Sequence, residues 1–137
     1  MSVKENKALI RRIYDLWNKK ELSAVSELYT PRIVHTNDRE MSLEQENQFI
    51  DMFFRAFPDA IATIEDMVAE GDKVAIRVTW RGTHRSDFSG ITPTGNKIEI
   101  TNTAIFKIAS GKVVENWATT ESLRFLQQLG VIPKQYK

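Results

Sequence analysis

The carboxylate best placed for proton chemistry in this chain lies at the seam of an expected strand and an expected helix. The segment SGKVVENWATTESLRFLQQLGVIP, from Ser110 to Pro133, reads as a turn at Ser110-Gly111 and a strand from Lys112 to about Thr120. A helix follows from about Ser122. Glu121 falls between strand and helix, four residues after Trp117. An apolar hollow disfavours the charged form of a carboxyl group and makes its anion a stronger base. The first turn of the following helix acts in the opposite sense, because it favours negative charge. Glu121 therefore has two readings, a general base or a carboxylate that serves only the helix start.

Three further polar residues could assist such a base. His84 closes a strand in Gly82-Thr83-His84, where it could orient the acid, donate to an oxyanion or gate the rim by a change of charge. No sequence neighbour supplies it with a partner, so a structural histidine at a strand end is the simpler reading. Asn102 interrupts the even-numbered stripe Ile98, Ile100, Ala104, Phe106, Ile108. A buried amide without partners costs about 1–3 kcal/mol, so Asn102 either meets a substrate carbonyl, holds Glu121, or is satisfied within the core. Tyr14 projects from a helical apolar stripe, with its hydroxyl directed to a cavity or to solvent. His35, close to Asn37 and Asp38, reads equally as a cavity residue or an exposed loop residue.

The aromatic residues Trp17, Phe53, Phe57, Trp80, Phe88 and Trp117 recur at helical or alternating spacing and are read as core and cavity lining. Phe88, on a long loop, is the candidate lid. His35 and His84 lack the compact spacing of a zinc site, so no metal is expected. The chain has no GxSxG elbow, no GxxxxGK[ST] loop and no GxGxxG turn, the signatures of serine hydrolysis, nucleotide triphosphate use and Rossmann cofactor binding.

The elements that must position these residues follow from periodicity. Ser2 and Glu5 have capping-box spacing, and Ile10, Ile13, Tyr14 and Trp17 form one stripe of a first helix. Leu22, Val25, Leu28 and Tyr29 predict a short helix stopped by Pro31. Arg32 to His35 predicts a short strand and Thr36 to Met41 a loop. A second capping box, Ser42 to Gln45, opens a helix carrying Phe49, Ile50, Phe53, Phe54 and Phe57, ended by Pro58. Period-two strands are predicted at about Ala60–Ala69, Val74–His84, Lys97–Ile108 and Lys112–Thr120. Their short connections demand antiparallel pairing, and Arg85–Asn96 is a rim loop. Helices first, a strand meander and a closing helix give an α+β fold class: a curved, mainly antiparallel sheet wrapped on N-terminal helices around an apolar pocket.

At 137 residues one domain is expected. Nineteen basic against eighteen acidic residues leave a formal charge of +1 without blocks of like charge, which argues against a nucleic-acid partner. The chain has no cysteine, so disulfides and thiolate chemistry are excluded. The opening MSVKENKALIRR is charged, and no apolar run approaches the ~20 residues of a membrane span. A soluble cytoplasmic protein without a membrane partner is the expectation.

With these pieces in order, the chain resembles the SnoaL-like polyketide cyclase group of the nuclear-transport-factor-two-like superfamily. The resemblance is carried by FPD at Phe57–Asp59, EGDKVAIRVTWRGTH at Glu70–His84, FSGITPTGNKI at Phe88–Ile98, and GKVVENW with QQLGVIP between Gly111 and Pro133. It implies a cone with a deep apolar cavity, a homodimer, and an acidic base that forms an enolate for an intramolecular aldol closure without cofactor. The family's acidic position after the strand tryptophan falls on Glu121, where relatives usually carry Asp. The extra methylene moves the carboxylate by about a bond length, and misplacement of ~1 Å can cost on the order of a hundredfold in rate. The resemblance thus implies a cofactor-free enzyme acting on a hydrophobic carbonyl compound. Two other uses of the same cone stay open: a non-catalytic carrier of an apolar small molecule, and a hydrolase or hydratase in which the carboxylate activates water.

Overall fold

A computed structural model of the chain describes residues 2–31, 33–35 and 39–133. Helix α1 (Val3–Asn18) starts at a full capping box, in which the Glu5 N–H donates to Ser2 Oγ and the Ser2 N–H donates to Glu5. Its apolar stripe, Leu9, Ile10, Ile13, Tyr14 and Trp17, is buried. At its end Asn18 exchanges two hydrogen bonds with the backbone of Ala62 (2.9 and 2.8 Å), so an amide side chain stands in for a missing ladder partner on an edge strand.

Helix α2 (Leu22–Ser26) is shorter than the apolar spacing predicts. The chain leaves the helix before Pro31 because Tyr29 bridges in parallel to Val113 and the Thr30 N–H donates to the Val113 carbonyl. Strand β1 (Ile33–His35) follows, and β2 (Glu40–Ser42) forms where a loop was expected to reach Met41. Pairing of the two across Val34 and Met41 overrides the polar local sequence. The expected positions Arg32 and Thr36–Asp38 lie outside the described residues. Helix α3 (Leu43–Ala56) opens on the Ser42–Gln45 capping box.

Strands β3 (Ile61–Glu70), β4 (Lys73–Thr83), β5 (Lys97–Ala109) and β6 (Lys112–Thr120) form the antiparallel meander, closed by helix α4 (Ser122–Gln128). The six-stranded sheet has the order β2-β1-β6-β5-β4-β3, and among the described residues its one parallel strand pair joins β1 to β6. Register shifts at Ile64/Asp66 and Lys107/Ile108 bend the long strands. The β5–β6 turn uses positive φ at both Ser110 (51°) and Gly111 (77°), which fits a tight antiparallel connection.

Alternation then decides which side chains face the helices. Val74, Ile76, Val78 and Trp80 of β4 face inward, as do Ile98, Ile100, Ala104 and Phe106 of β5. Beneath α1 and α2 lies the larger apolar cluster, which includes Ile10, Tyr14, Trp17, Val78 and Phe106. A second cluster, with Phe57, Phe88, Ile98, Phe125 and Leu129, joins the end of α3 to α4. No described helix is long and apolar enough to cross a membrane.

Candidate functional site

Polar residues enter the concave side of the sheet in one row. Asn102 pairs with Thr120 across β5 and β6, Ala104 with Ala118, and Phe106 with Asn116. The Asn102 amide donates to Thr120 Oγ1 at 2.7 Å. This confirms that Asn102 faces inward and gives it Thr120, not Glu121, as partner. Asn116 is only 4% exposed, and its Oδ1 accepts no hydrogen bond from a described residue. Between these two polar pairs Ala104 and Ala118 carry nothing beyond Cβ and pack within the larger apolar cluster.

Aromatic side chains from the helices stand over this row. Tyr14 meets Trp17 edge-on at 4.8 Å and Phe106 at 6.4 Å, while Phe53 and Phe54 of α3 meet Trp80 at 5.5 and 5.8 Å. Such edge-to-face contacts add about 0.5–1.5 kcal/mol each beyond area burial and fix ring orientation. Tyr14, Trp17, Phe53 and Trp80 thus join in one aromatic wall.

A carboxylate that sequence reasoning passed over joins the wall. Glu46, in the first turn of α3, is only 9% exposed although its neighbours Gln45 and Asn47 are exposed. Burial and, second, the charge of Glu46 push the Tyr14 hydroxyl well above the usual phenol range, so Tyr14 remains a hydrogen-bond donor at physiological pH. The signal was present in the helix phase: Glu46 shares the spacing of Leu43, Ile50, Phe53 and Phe57. Asn116 was equally readable, as the residue in phase with Ala118 and Thr120 on β6.

Glu121 does not occupy a dry hollow. It is exposed at the start of α4, and its Oε1 accepts the Thr101 N–H at 2.7 Å with Arg124 at 3.9 Å. Of its two readings, this position accords with the carboxylate at the helix start: Thr120 faces inward, so the next residue turns out to solvent. The other catalytic candidate, His84, is fully buried but stands apart. Its Nδ1 accepts the Thr94 N–H at 3.1 Å, so the ring proton sits on Nε2, and Phe57 stacks on the ring at 5.2 Å. With its own N–H donating to Asn96 and its carbonyl accepting from Gly95, His84 anchors the Pro93–Gly95 loop. The structural reading accounts for the bonds His84 makes, while its Nε2 is buried without a partner among the described residues, and the contacts do not join Glu121, His84 and Asn102 into one constellation.

Trp117, expected to line the core and cavity, and His35, for which a cavity position was one of two equal readings, lie on the opposite face. Trp117 alternates with the inward Asn116 and Ala118, and His35, paired to it in parallel, stacks on its ring at 5.3 Å. His35 Nε2 meets Glu115 Oε2 at 2.6 Å and Nδ1 lies 3.5 Å from Glu40. Phe57 is fully buried beneath α3 and α4 rather than lining the row. Phe88 is no lid: it is 9% exposed and packs edge-on against Phe125 (5.3 Å) and Phe57 (5.8 Å).

Two surface depressions, of about 580 and 590 Å³, open to solvent away from the polar row. One runs along α3 from Leu43 to Asp51 and the other crosses the β4–β5 edge at Arg81, Lys97 and Arg124. Among the described residues no group of three or more His, Asp or Glu side chains is arranged to hold a metal ion.

A family model described as SnoaL-like polyketide cyclase matches residues 7–129. AclR, a proposed hydroxylase from Streptomyces galilaeus, superposes with a TM-score of 0.92 at 31% identity, over 99% of this chain and 87% of its own. IdmH, a proposed polyketide cyclase from Streptomyces antibioticus, gives 0.80 at 30% identity, over 91% and 98%. A proposed SnoaL-like polyketide cyclase from Jannaschia sp. CCS1 gives 0.85 at 23% identity, over 95% and 94%. Among curated proteins none matches at a significant level.

Proposed function

Since the chain belongs to the SnoaL-like polyketide cyclase family, we propose that it closes a ring in a hydrophobic carbonyl compound by general-base chemistry, without a cofactor. A base removes a proton from the carbon next to a carbonyl. The C–H electrons form an enolate, the enolate carbon attacks a second carbonyl of the same molecule, and the new alkoxide takes a proton back. What carries this reading is the row of Asn102, Thr120 and Asn116 set into an aromatic wall: polar anchors for a substrate whose body is apolar. Held there, two carbonyl groups of one flexible chain gain the proximity that makes intramolecular closure fast.

The family's acidic position falls on Glu121. Its carboxylate is exposed in the free protein, so the fold does not give Glu121 the water-free surroundings that strengthen a base. That same exposure favours a second reading, a carrier that binds such a compound without turning it over.

The deciding experiment incubates the protein with a panel of linear β-polyketo esters in D₂O containing EDTA. Exchange of α-hydrogens for deuterium and ring formation are followed by mass spectrometry. Accelerated exchange with closure supports the enzyme; binding across the panel with exchange at the background rate overturns it in favour of the carrier.

A homodimer is part of the proposal. On the convex face Ile105 is 40% exposed beside Trp117 and His35, an apolar patch that a second copy could cover. Light scattering that returns a strict monomer would remove this part.

A further inference from the structure

We propose that Glu46 is the proton acceptor inside the cone, with Tyr14 donating a hydrogen bond to the substrate carbonyl oxygen and Asn116 accepting one from a substrate hydroxyl. The inference rests on the small-molecule reading above and names the groups within it.

Three elements converge to make this arrangement. Glu46 comes from the first turn of α3, a 14-residue helix whose N-terminus supports a carboxylate charge. Tyr14 comes from α1, and its ring packs on Phe106. Asn116 on β6 is the cross-strand partner of Phe106. Glu46 lies one turn from Leu43 and one turn from Ile50, both packed against the cluster that holds Tyr14, and the phenol feels its charge; the Tyr14–Phe106 contact reaches the strand pair that carries Asn116. Asn116 Oδ1 is the independent pointer to a ligand: a buried acceptor without a donor from any described residue is costly to maintain. Ala104 and Ala118, beside it, add no side-chain bulk beyond Cβ.

The chemistry assigned to each group is complementary. A carboxylate accepts the proton that leaves carbon. The phenol, kept protonated by its surroundings, stabilises the enolate oxygen by donation. After the enolate carbon forms its bond to the second carbonyl, Glu46 returns the proton to the new alkoxide, so the residue ends as it began. The unpaired amide oxygen selects a substrate that brings a hydroxyl. The expected class is therefore a hydroxylated apolar carbonyl compound rather than a plain hydrocarbon-like one.

Binding of 2-naphthol, an enol mimic, and of naphthalene, the same shape without the hydroxyl, tests this through quenching of tryptophan fluorescence. The wild type is expected to prefer 2-naphthol about tenfold, and Asn116→Leu to bind both about equally. Glu46→Gln mimics the protonated acid that follows proton transfer. Near the pH where free 2-naphthol is half ionised, it should raise the bound naphtholate fraction severalfold by absorbance, whereas Glu121→Gln should leave that fraction at the wild-type value. Tyr14→Phe should weaken 2-naphthol about tenfold with naphthalene unchanged, and it serves as the readout if Glu46→Gln does not fold. Binding that responds to Glu121→Gln and to none of the other three variants overturns the inference alone. A folded wild type that binds neither probe overturns the small-molecule reading beneath it as well.

Discussion

Glu46 and Glu121 each stand at the N-terminus of a helix, yet their surroundings differ in every other respect. Glu46 lies in the first turn of α3, whose inward face continues through Ile50 and Phe53, so the helix buries the carboxylate, and its charge is felt at Tyr14. Glu121 opens the seven-residue α4, whose buried anchor is Phe125, and its carboxylate stays at the surface with Thr101 and Arg124. Helix position alone therefore says little about what a carboxylate can do; the phase of the apolar stripe decides. The same contrast separates the two apolar clusters. Among the described residues the one under α1 leaves an acceptor, Asn116 Oδ1, without a donor, while the one under α4 leaves a donor nitrogen, His84 Nε2, without an acceptor, its Nδ1 being bonded into a loop.

If the α4 cluster is scaffold, the largest effect on stability belongs to Phe57→Ala. Phe57 is fully buried, stacks on His84 at 5.2 Å and Phe53 at 5.0 Å, and meets Phe88 and Phe125. A cavity of that size costs about 3–5 kcal/mol, which for a chain of this length lowers Tm by roughly 10 °C. Calorimetry should show that loss, with the preference for 2-naphthol over naphthalene retained at temperatures where the variant is folded. Unchanged Tm with lost binding would exchange the roles of the two regions.

Asp59→Ala comes next, and it tests the junction that closes the scaffold. Asp59 accepts the Thr83 N–H at 2.7 Å and the Thr83 hydroxyl at 2.8 Å, tying the end of α3 to the end of β4. Truncation leaves both groups of buried Thr83 without their partner, a cost of about 1–3 kcal/mol. Burial pushes the Asp59 carboxyl up, but the two Thr83 bonds and the nearby Arg85 outweigh it, and the carboxyl is held below its ordinary value. A depressed folded-state value stabilises the protein above the unfolded-state pKa, and that stability is lost as pH falls through the folded-state value. Denaturation curves should therefore show a wild-type advantage at neutral pH that narrows in acid below about pH 4. A gap that persists in acid would mean that shape rather than charge supports the junction.

Much of this architecture was legible from residue order because local signals agreed with the fold. Both capping boxes, the four long strands and the closing helix coincide closely with their predicted spans. What escaped was long-range pairing. Nothing in Glu40–Ser42 marks a strand until β1 lies beside it, and the parallel pairing of β1 with β6 joins segments about eighty residues apart. That pairing carries His35 to the convex face with Trp117. Period two was in fact sufficient for the site: Asn116, Ala118 and Thr120 share one side, which puts Trp117 and Thr119 on the other and turns Glu121 outward. The resemblance puts the family's acidic position on Glu121, whereas helix phase and strand phase mark Glu46 and Asn116 as buried polar residues.

Asn116→Leu is the smallest of these effects and the one with the opposite sign. Leu shares the γ-branch of Asn and brings no acceptor, so it fills nearly the same shape in the concave row without a buried oxygen that lacks a donor. Replacing an unsatisfied buried polar group by an apolar one of similar shape is neutral to stabilising, here by up to about 1 kcal/mol, or a few degrees in Tm. Proteins retain such costly groups where activity needs them, and removing them exchanges function for stability. The variant should melt at or above the wild-type temperature while losing its preference for the hydroxylated probe. A clear loss of stability would instead show that the amide holds the strand pair together, and Asn116 would then belong with Asp59 among the scaffold residues.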